Sequence, residues 1–316
     1  MRIRNLFAVA AAVAALTLAA SPAEAQFGGL GGLAKKVGLK PTSILGDRQP
    51  ITTSLPDAKW GDSSKDGFTP REPTRSLMTL QRTPNGGFVL QPGYYEFHDQ
   101  SYCLKAGTHG PGGGDGYLYA PPKGPAEDAV MTIVRNSVNH PEIDQHDIQT
   151  LLWAIIARAK FEDLSSEHKA VAARLLTPRQ LAALNRNALD VLTTGPLADN
   201  LPGPIRSVLQ AEADLRRMLT TPGATFADME RVAVLAGAAP MGPGSQDIPS
   251  GRWSIHPDGY YVRYVPQSYS NTVISIWVPQ GSPAVGKEYD PATHIAVPGN
   301  TSRQRLIQSG RPYQSH

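Results

Sequence analysis

Apolar and polar positions divide the chain into stretches with different periods. Residues 6–20 form an almost unbroken apolar run. From Gln26 to about Arg75 no period holds, and Gly, Pro, Ser, Thr and charged residues interrupt every short apolar group. Between Ser76 and Ala120 apolar residues alternate with polar ones, the signature of strands. Leu77–Leu80 and Gly87–Leu90 flank Asn85-Gly86, a strong hairpin dipeptide, and Gly93–His98 and Ser101–Leu104 follow.

The central block, 125–237, changes to a spacing of three and four and predicts six helices. Val130, Ile133, Val134 and Val138 line the first, and Ile148, Leu151, Leu152, Ile155, Ile156 and Ala159 the second, entered through Asp144. Leu164, Val171, Leu175 and Leu176 line a third, with Ser165 at its N-cap. Thr177-Pro178-Arg179-Gln180 reads as a capping box opening a fourth, through Leu181, Leu184 and Leu189. The fifth runs from Pro204 through Leu219, and the sixth starts at Thr225 and ends by Gly237. After Pro243 alternation returns. Arg252–Ile255 and Tyr260–Val265 form a hairpin, and Thr272–Val278 is a third strand. The pattern predicts an α+β fold: antiparallel β-structure built from both ends of the chain, with a six-helix insertion between. Neither β segment alone has enough strands to be stable. The boundaries are 1–25 leader, 26–75 tether, 76–280 one domain (strands 76–120, helices 125–237, strands 251–278) and 281–316 an irregular tail with at most a short strand near His294–Val297.

The leader identity follows from its chemistry. Arg2 and Arg4 precede the apolar run, Pro22 breaks it, and Ala23-Glu24-Ala25 presents an A-x-A cleavage site. Cleavage after Ala25 predicts export to the periplasm or beyond, and the run is shorter than the roughly 20 apolar residues of a membrane span. No integral membrane segment is expected after cleavage. Removing Arg2, Arg4 and Glu24 leaves 28 basic against 26 acidic side chains. So balanced a charge gathers no nucleic acid. Thirty glycines and 28 prolines accord with long irregular stretches. The single cysteine, Cys103, has no internal disulfide partner.

The eight histidines show no metal-ligand spacing, so neither metal nor cofactor is expected. Glu142, Asp144 and Asp147 invite comparison with the acid of a glycan hydrolase, but helix N-termini favour the same residues. The glycine-dense 107–116 loop lacks the Lys-Ser/Thr of a phosphate loop, and no Gly-x-Ser-x-Gly occurs. Cys103, with His109 and Asp115 downstream, is the candidate nucleophile. The alternative is a small buried hydrophobe. Rings crowd the β segments. Tyr102, Tyr117, Tyr119, Tyr260 and Tyr264, with Trp153 on the second helix, are candidate contacts for an envelope protein or glycan surface, or else core.

Tyr102-Cys103-Leu104, followed by Ile148-Gln149-Thr150-Leu151-Leu152-Trp153 on a helix, resembles two motifs of the bacterial thioester domains of surface adhesins. These are an aromatic-Cys-apolar triplet and a Thr-Gln-x-Ala-apolar-Trp helix. Ile148 stands where that family has threonine, and Leu151 where it has alanine. The resemblance implies a β-structure with a helical insertion and a thioester between Cys103 and a later glutamine, Gln304 or Gln308, that acylates surface nucleophiles. Gln149 is then part of the supporting helix. Two functions are thus expected: binding or assembly in the envelope, or Cys103-dependent hydrolysis or acyl transfer.

Overall fold

In the computed structural model of the chain, residues 49–112, 114–187 and 203–314 are described. The leader, residues 26–48 of the tether and Leu189 lie outside them.

Six antiparallel strands close into a barrel: β1 (Gly93–Cys103), β2 (Tyr117–Ala120), β3 (Tyr261–Pro266), β4 (Asn271–Val278), β5 (Ile295–Pro298) and β6 (Leu306–Pro312). Their order around the wall is β1-β6-β5-β2-β3-β4, with β4 returning to β1. Two barrel strands precede the helices in sequence and four follow them. Closure removes the free sheet edges that the isolated segments would expose.

The described helices are α1 (Glu127–Ser137), α2 (Gln145–Ile156), α3 (Ser166–Leu175), α4 (Pro178–Asn187), α5 (Gly203–Thr220) and α6 (Phe226–Ala233). Their starts follow the local chemistry. The Asp144 carboxylate accepts the His146 N–H at 2.7 Å, and Ser165 Oγ accepts the His168 N–H at 3.2 Å. Thr177 and Gln180 cap reciprocally at 3.0 and 3.3 Å, as do Thr225 and Asp228 at 3.1 and 3.2 Å. The mixed α+β class therefore holds.

Alternation along the strands feeds two cores. Tyr117, Tyr119, Tyr264, Ile274, Ile276 and Leu306 belong to the barrel's core. Their neighbours Leu118, Ala120, Ile295, Val297 and Ile307 pack with Val130, Ile133, Leu151, Leu152 and Leu175 of the helices. Strands β2, β5 and β6 are thus apolar on both faces, and the helices cover one of them.

Three expectations need correction. Residues 49–75 are not a tether: Ile51, Leu55 and Ala58 are buried, and Thr74–Ser76 pairs in parallel with β1. The Arg305 guanidinium donates to Ile51 O at 2.8 Å, and Thr52 N–H to Lys123 O at 2.7 Å. A few anchors hold this stretch without any periodic pattern. The 281–316 tail is not irregular, because β5 and β6 are barrel strands that join β1 to β2. Leu77–Thr79 is a short 3-10 turn and not a strand, with Ser76 Oγ accepting the Met78 N–H at 3.3 Å. The Asn85-Gly86 turn forms with Gly86 at φ 83°, and Phe88–Val89 pairs with Glu288–Tyr289.

Candidate functional site

Cys103 is the last residue of β1 and is wholly buried. Its surroundings follow from how β1 is paired. On one edge β4 accompanies it from Gly93 opposite Val278 to Gln100 opposite Asn271, and then turns away. The backbone groups beyond Gln100 need other partners, since an unpaired buried N–H or C=O costs about 1–3 kcal/mol. The Ser101 N–H still finds Ser270 O at 3.0 Å, and helix α2 supplies the other partners from side chains. Gln145 Nε2 donates to Ser270 O at 2.8 Å and Ser101 O at 3.3 Å. Gln149 Oε1 accepts the Cys103 N–H at 2.8 Å, and its Nε2 donates to Cys103 O at 3.2 Å. Four helical residues rise about 6 Å, close to the roughly 6.8 Å of two strand residues, so successive glutamines meet alternate strand positions. The two side-chain amides continue the ladder where β4 stops.

On the other edge Leu306 of β6 faces Cys103, and the Leu104 N–H donates to Arg305 O at 3.0 Å. Gln308, two residues beyond Leu306 within β6, shares the Cys103 face and flanks it diagonally, within reach of long side chains, and Gln304 stands two residues before Leu306, where the strand begins. Both are buried. Gln304 Nε2 donates to Thr108 O at 3.1 Å and to Ala233 O of α6 at 3.0 Å, while Oε1 has no partner. Gln308 Nε2 reaches only Leu306 O of its own strand, at 3.3 Å, and its Oε1 is also unpartnered. Gln304 is thus held by its nitrogen from two elements, leaving its carbonyl unengaged.

Burial first, and then the Glu230 charge, push the Cys103 thiol well above its usual range. The thiol is therefore neutral at rest. His109 contributes its backbone, with its carbonyl accepting the Gln304 N–H at 2.8 Å. Its Nδ1 is buried without a partner. Asp115 pairs with Arg303 at 2.7 Å, and Arg303 also donates to Gly110 O at 2.7 Å, so the glycine loop is clamped by an arginine.

The candidate contact rings are all buried. Tyr117 and Tyr264 have no hydrogen-bond partner for their hydroxyls, and Tyr260 OH meets His294 Nε2 at 2.7 Å. Tyr119 stacks on Trp60 at 5.4 Å, and burial pushes its phenol up to about 12. Tyr102 lies in the helix-side core, its hydroxyl donating to Gln100 Oε1 at 3.1 Å. Trp153 stacks on Phe226 at 5.2 Å. An exposed aromatic binding face is therefore overturned for these six residues: the barrel and the helix layer consume them as core. Glu142 and Asp147 border a shallow groove of about 250 Å³ with Glu167 and Arg174. Glu142 is exposed and paired with His140 at 2.9 Å, and Asp144 caps α2. Asp144 and Asp147 serve the helix start, and Glu142 pairs with His140 and Arg174.

Sequence reading missed Gln145, Glu230 and Tyr269. Gln145 had a signal, the Gln-x-x-x-Gln spacing on one face of α2. Glu230 and Tyr269 meet only through the tertiary fold. Compared with family models, with curated proteins and with solved structures, the chain has no match in any of the three.

Proposed function

We propose that this is an exported binding protein that attaches covalently to its target through an internal thioester between Cys103 and Gln304. The observation carrying the proposal is the double hydrogen bond from Gln149 to the Cys103 backbone, combined with a neighbouring glutamine anchored by its amide nitrogen. The first fixes the sulfur against β6. The second holds the amide whose carbon the sulfur attacks. Sulfur bonds to Gln304 Cδ, the C–N bond breaks, and the nitrogen leaves as ammonia with the thiol proton. Burial of both side chains then protects the thioester from water. A nucleophile on a target surface, an amine or hydroxyl, takes the acyl group and releases the thiol.

Gln304 is favoured over Gln308 because its amide is gripped from outside its own strand. A cysteine hydrolase is disfavoured because such an enzyme needs an imidazole acting on the thiol. The side-chain charge that acts on Cys103 comes from Glu230. Export rests on the leader at residues 1–25, which also provides the address for an envelope or extracellular target. Intact mass tests the reading. Protein purified from the full chain is expected to weigh one ammonia less than its mature sequence and to show no thiol, even when denatured rapidly in acid. Full mass with one titratable thiol on denaturation contradicts it.

A further inference from the structure

A thioester at Cys103 needs a carrier for the thiol proton. The thiol is buried and neutral, and a neutral thiol is a poor nucleophile. Water does not reach a wholly buried sulfur, so the carrier must belong to the protein.

Glu230 of α6 is the side chain whose charge acts on Cys103. Two tethers fix it at the site. Ala233, three residues further along the helix, accepts Gln304 Nε2 at 3.0 Å, so the helix bearing the carboxylate also grips the reacting amide. The carboxylate itself accepts the Tyr269 hydroxyl. Tyr269 is bound in turn to β1, its carbonyl accepting Ser101 Oγ at 2.9 Å, two residues before Cys103. The phenol lies in the field of both Glu230 and Cys103, and burial first, then the bond to Glu230, keep it protonated as a donor. Glu230 and Tyr269 are each partly exposed, whereas Cys103 and Gln304 are fully buried.

Resting on the thioester reading, we infer that Glu230, positioned by Tyr269, carries the proton in both directions of the thioester chemistry. In closure the carboxylate takes the S–H proton as the sulfur bonds to Gln304 Cδ. The C–N bond breaks, and the departing nitrogen takes that proton from Glu230 and leaves as ammonia. In transfer an incoming amine gives its proton to Glu230 as its nitrogen bonds to the same carbon. The C–S bond breaks and the sulfur recovers the proton. Each half returns Glu230 to the carboxylate, so no further reactant is required. Proton transfer keeps step with bond formation, because a free thiolate beside the carboxylate is disfavoured.

The experiment uses the full chain and methylamine as the nucleophile, reading ammonia loss by intact mass and thiol release with time. Glu230→Gln is expected to lower the closed fraction and to slow methylamine uptake roughly a hundredfold, the scale of a lost general base. Glu230→Asp should recover part of the rate, and Tyr269→Phe should fall between wild type and Glu230→Gln. If Glu230→Gln does not melt cooperatively, Tyr269→Phe carries the test: slower uptake at an unchanged melting midpoint supports the pair, and an unchanged rate overturns it. A closed wild type with Glu230→Gln closing and reacting at the same rates overturns this inference alone. A wild type at full mass overturns the thioester reading and this inference with it.

Discussion

The side-chain amide of Gln149 satisfies both backbone groups of Cys103, accepting at 2.8 Å and donating at 3.2 Å. A helix thereby does the work of a strand where the barrel wall loses its β4 partner. The pair is buried on both sides, so water cannot replace it.

Gln149→Ala is therefore expected to cost roughly 3 kcal/mol, since it leaves two buried backbone groups unpaired. Gln145→Ala should cost less, about 1 kcal/mol, because Gln145 is partly exposed and water replaces part of its bonding. Urea denaturation of the two variants checks both the order and the size. Gln149→Glu keeps the acceptor but loses the donor to Cys103 O, and should fall between wild type and alanine.

The choice of glutamine is separable by substitution. Gln304→Ala is expected to restore full mass and a thiol that titrates on denaturation. Gln308→Ala should retain the loss of ammonia, with some loss of stability. Intact-mass spectra of the two variants decide it, and the reverse result assigns the acyl group to Gln308.

Residues 49–75 should be indispensable. A chain beginning at Ser76 loses the burial of Ile51 and Leu55, at about 1.5–3 kcal/mol for each side chain, and strips Arg305 of its Ile51 and Thr53 carbonyl acceptors. The total approaches the roughly 5–15 kcal/mol stability of a whole domain. Thermal melting of that truncation is expected to show no cooperative transition. A normal transition contradicts the packing described for this stretch.

Asp99 gives a pH signature. It is wholly buried, accepts from the Gly310 N–H at 2.9 Å and Ser309 Oγ at 2.9 Å, and burial raises its carboxyl to about 7. Its folded value lies above the unfolded one, so its contribution is complete below about pH 4 and is lost as pH rises toward 7. His294 and His256 act oppositely. Burial holds both below the usual range, His256 at about 4, so their contribution is lost as acid is added below about 6.5. The difference between wild type and Asp99→Asn isolates the first term. Relative to the variant, wild-type stability should decline between about pH 4 and 7 and level off above. A difference independent of pH contradicts a protonated Asp99.

How much was legible in the sequence follows from burial geometry. The helices announced themselves because each buries one stripe and carries its own cap, as at Ser165, Thr177 and Thr225. The hairpin of Ser254–Ile255 with β3 did too, through the turn residues between them, and β4 showed as a strand through its own alternation. Strands β5 and β6 did not. Ile295–Pro298 is buried throughout and Leu306–Arg311 nearly so, which erases the alternation that marks a one-sided strand. The same closure turned Tyr117, Tyr260 and Tyr264 from candidate contacts into core. At the site, Cys103 and Gln149 stood out as local motifs. The partner glutamine depended on a register set between strands some 200 residues apart in the chain, where Leu306 meets Cys103, and no local pattern encodes that. Glu230 and Tyr269 are invisible for the same reason: their hydrogen bond joins two elements 39 residues apart.

The central claim is a covalent bond between two particular side chains, and a peptide map tests it most directly. Digestion of the native, unreduced protein under acidic conditions is expected to yield the Cys103 peptide joined to the Gln304 peptide, lighter than their sum by one ammonia, and separable by hydroxylamine. Two separate peptides, with Cys103 free to alkylate and Gln304 an intact amide, would contradict the account.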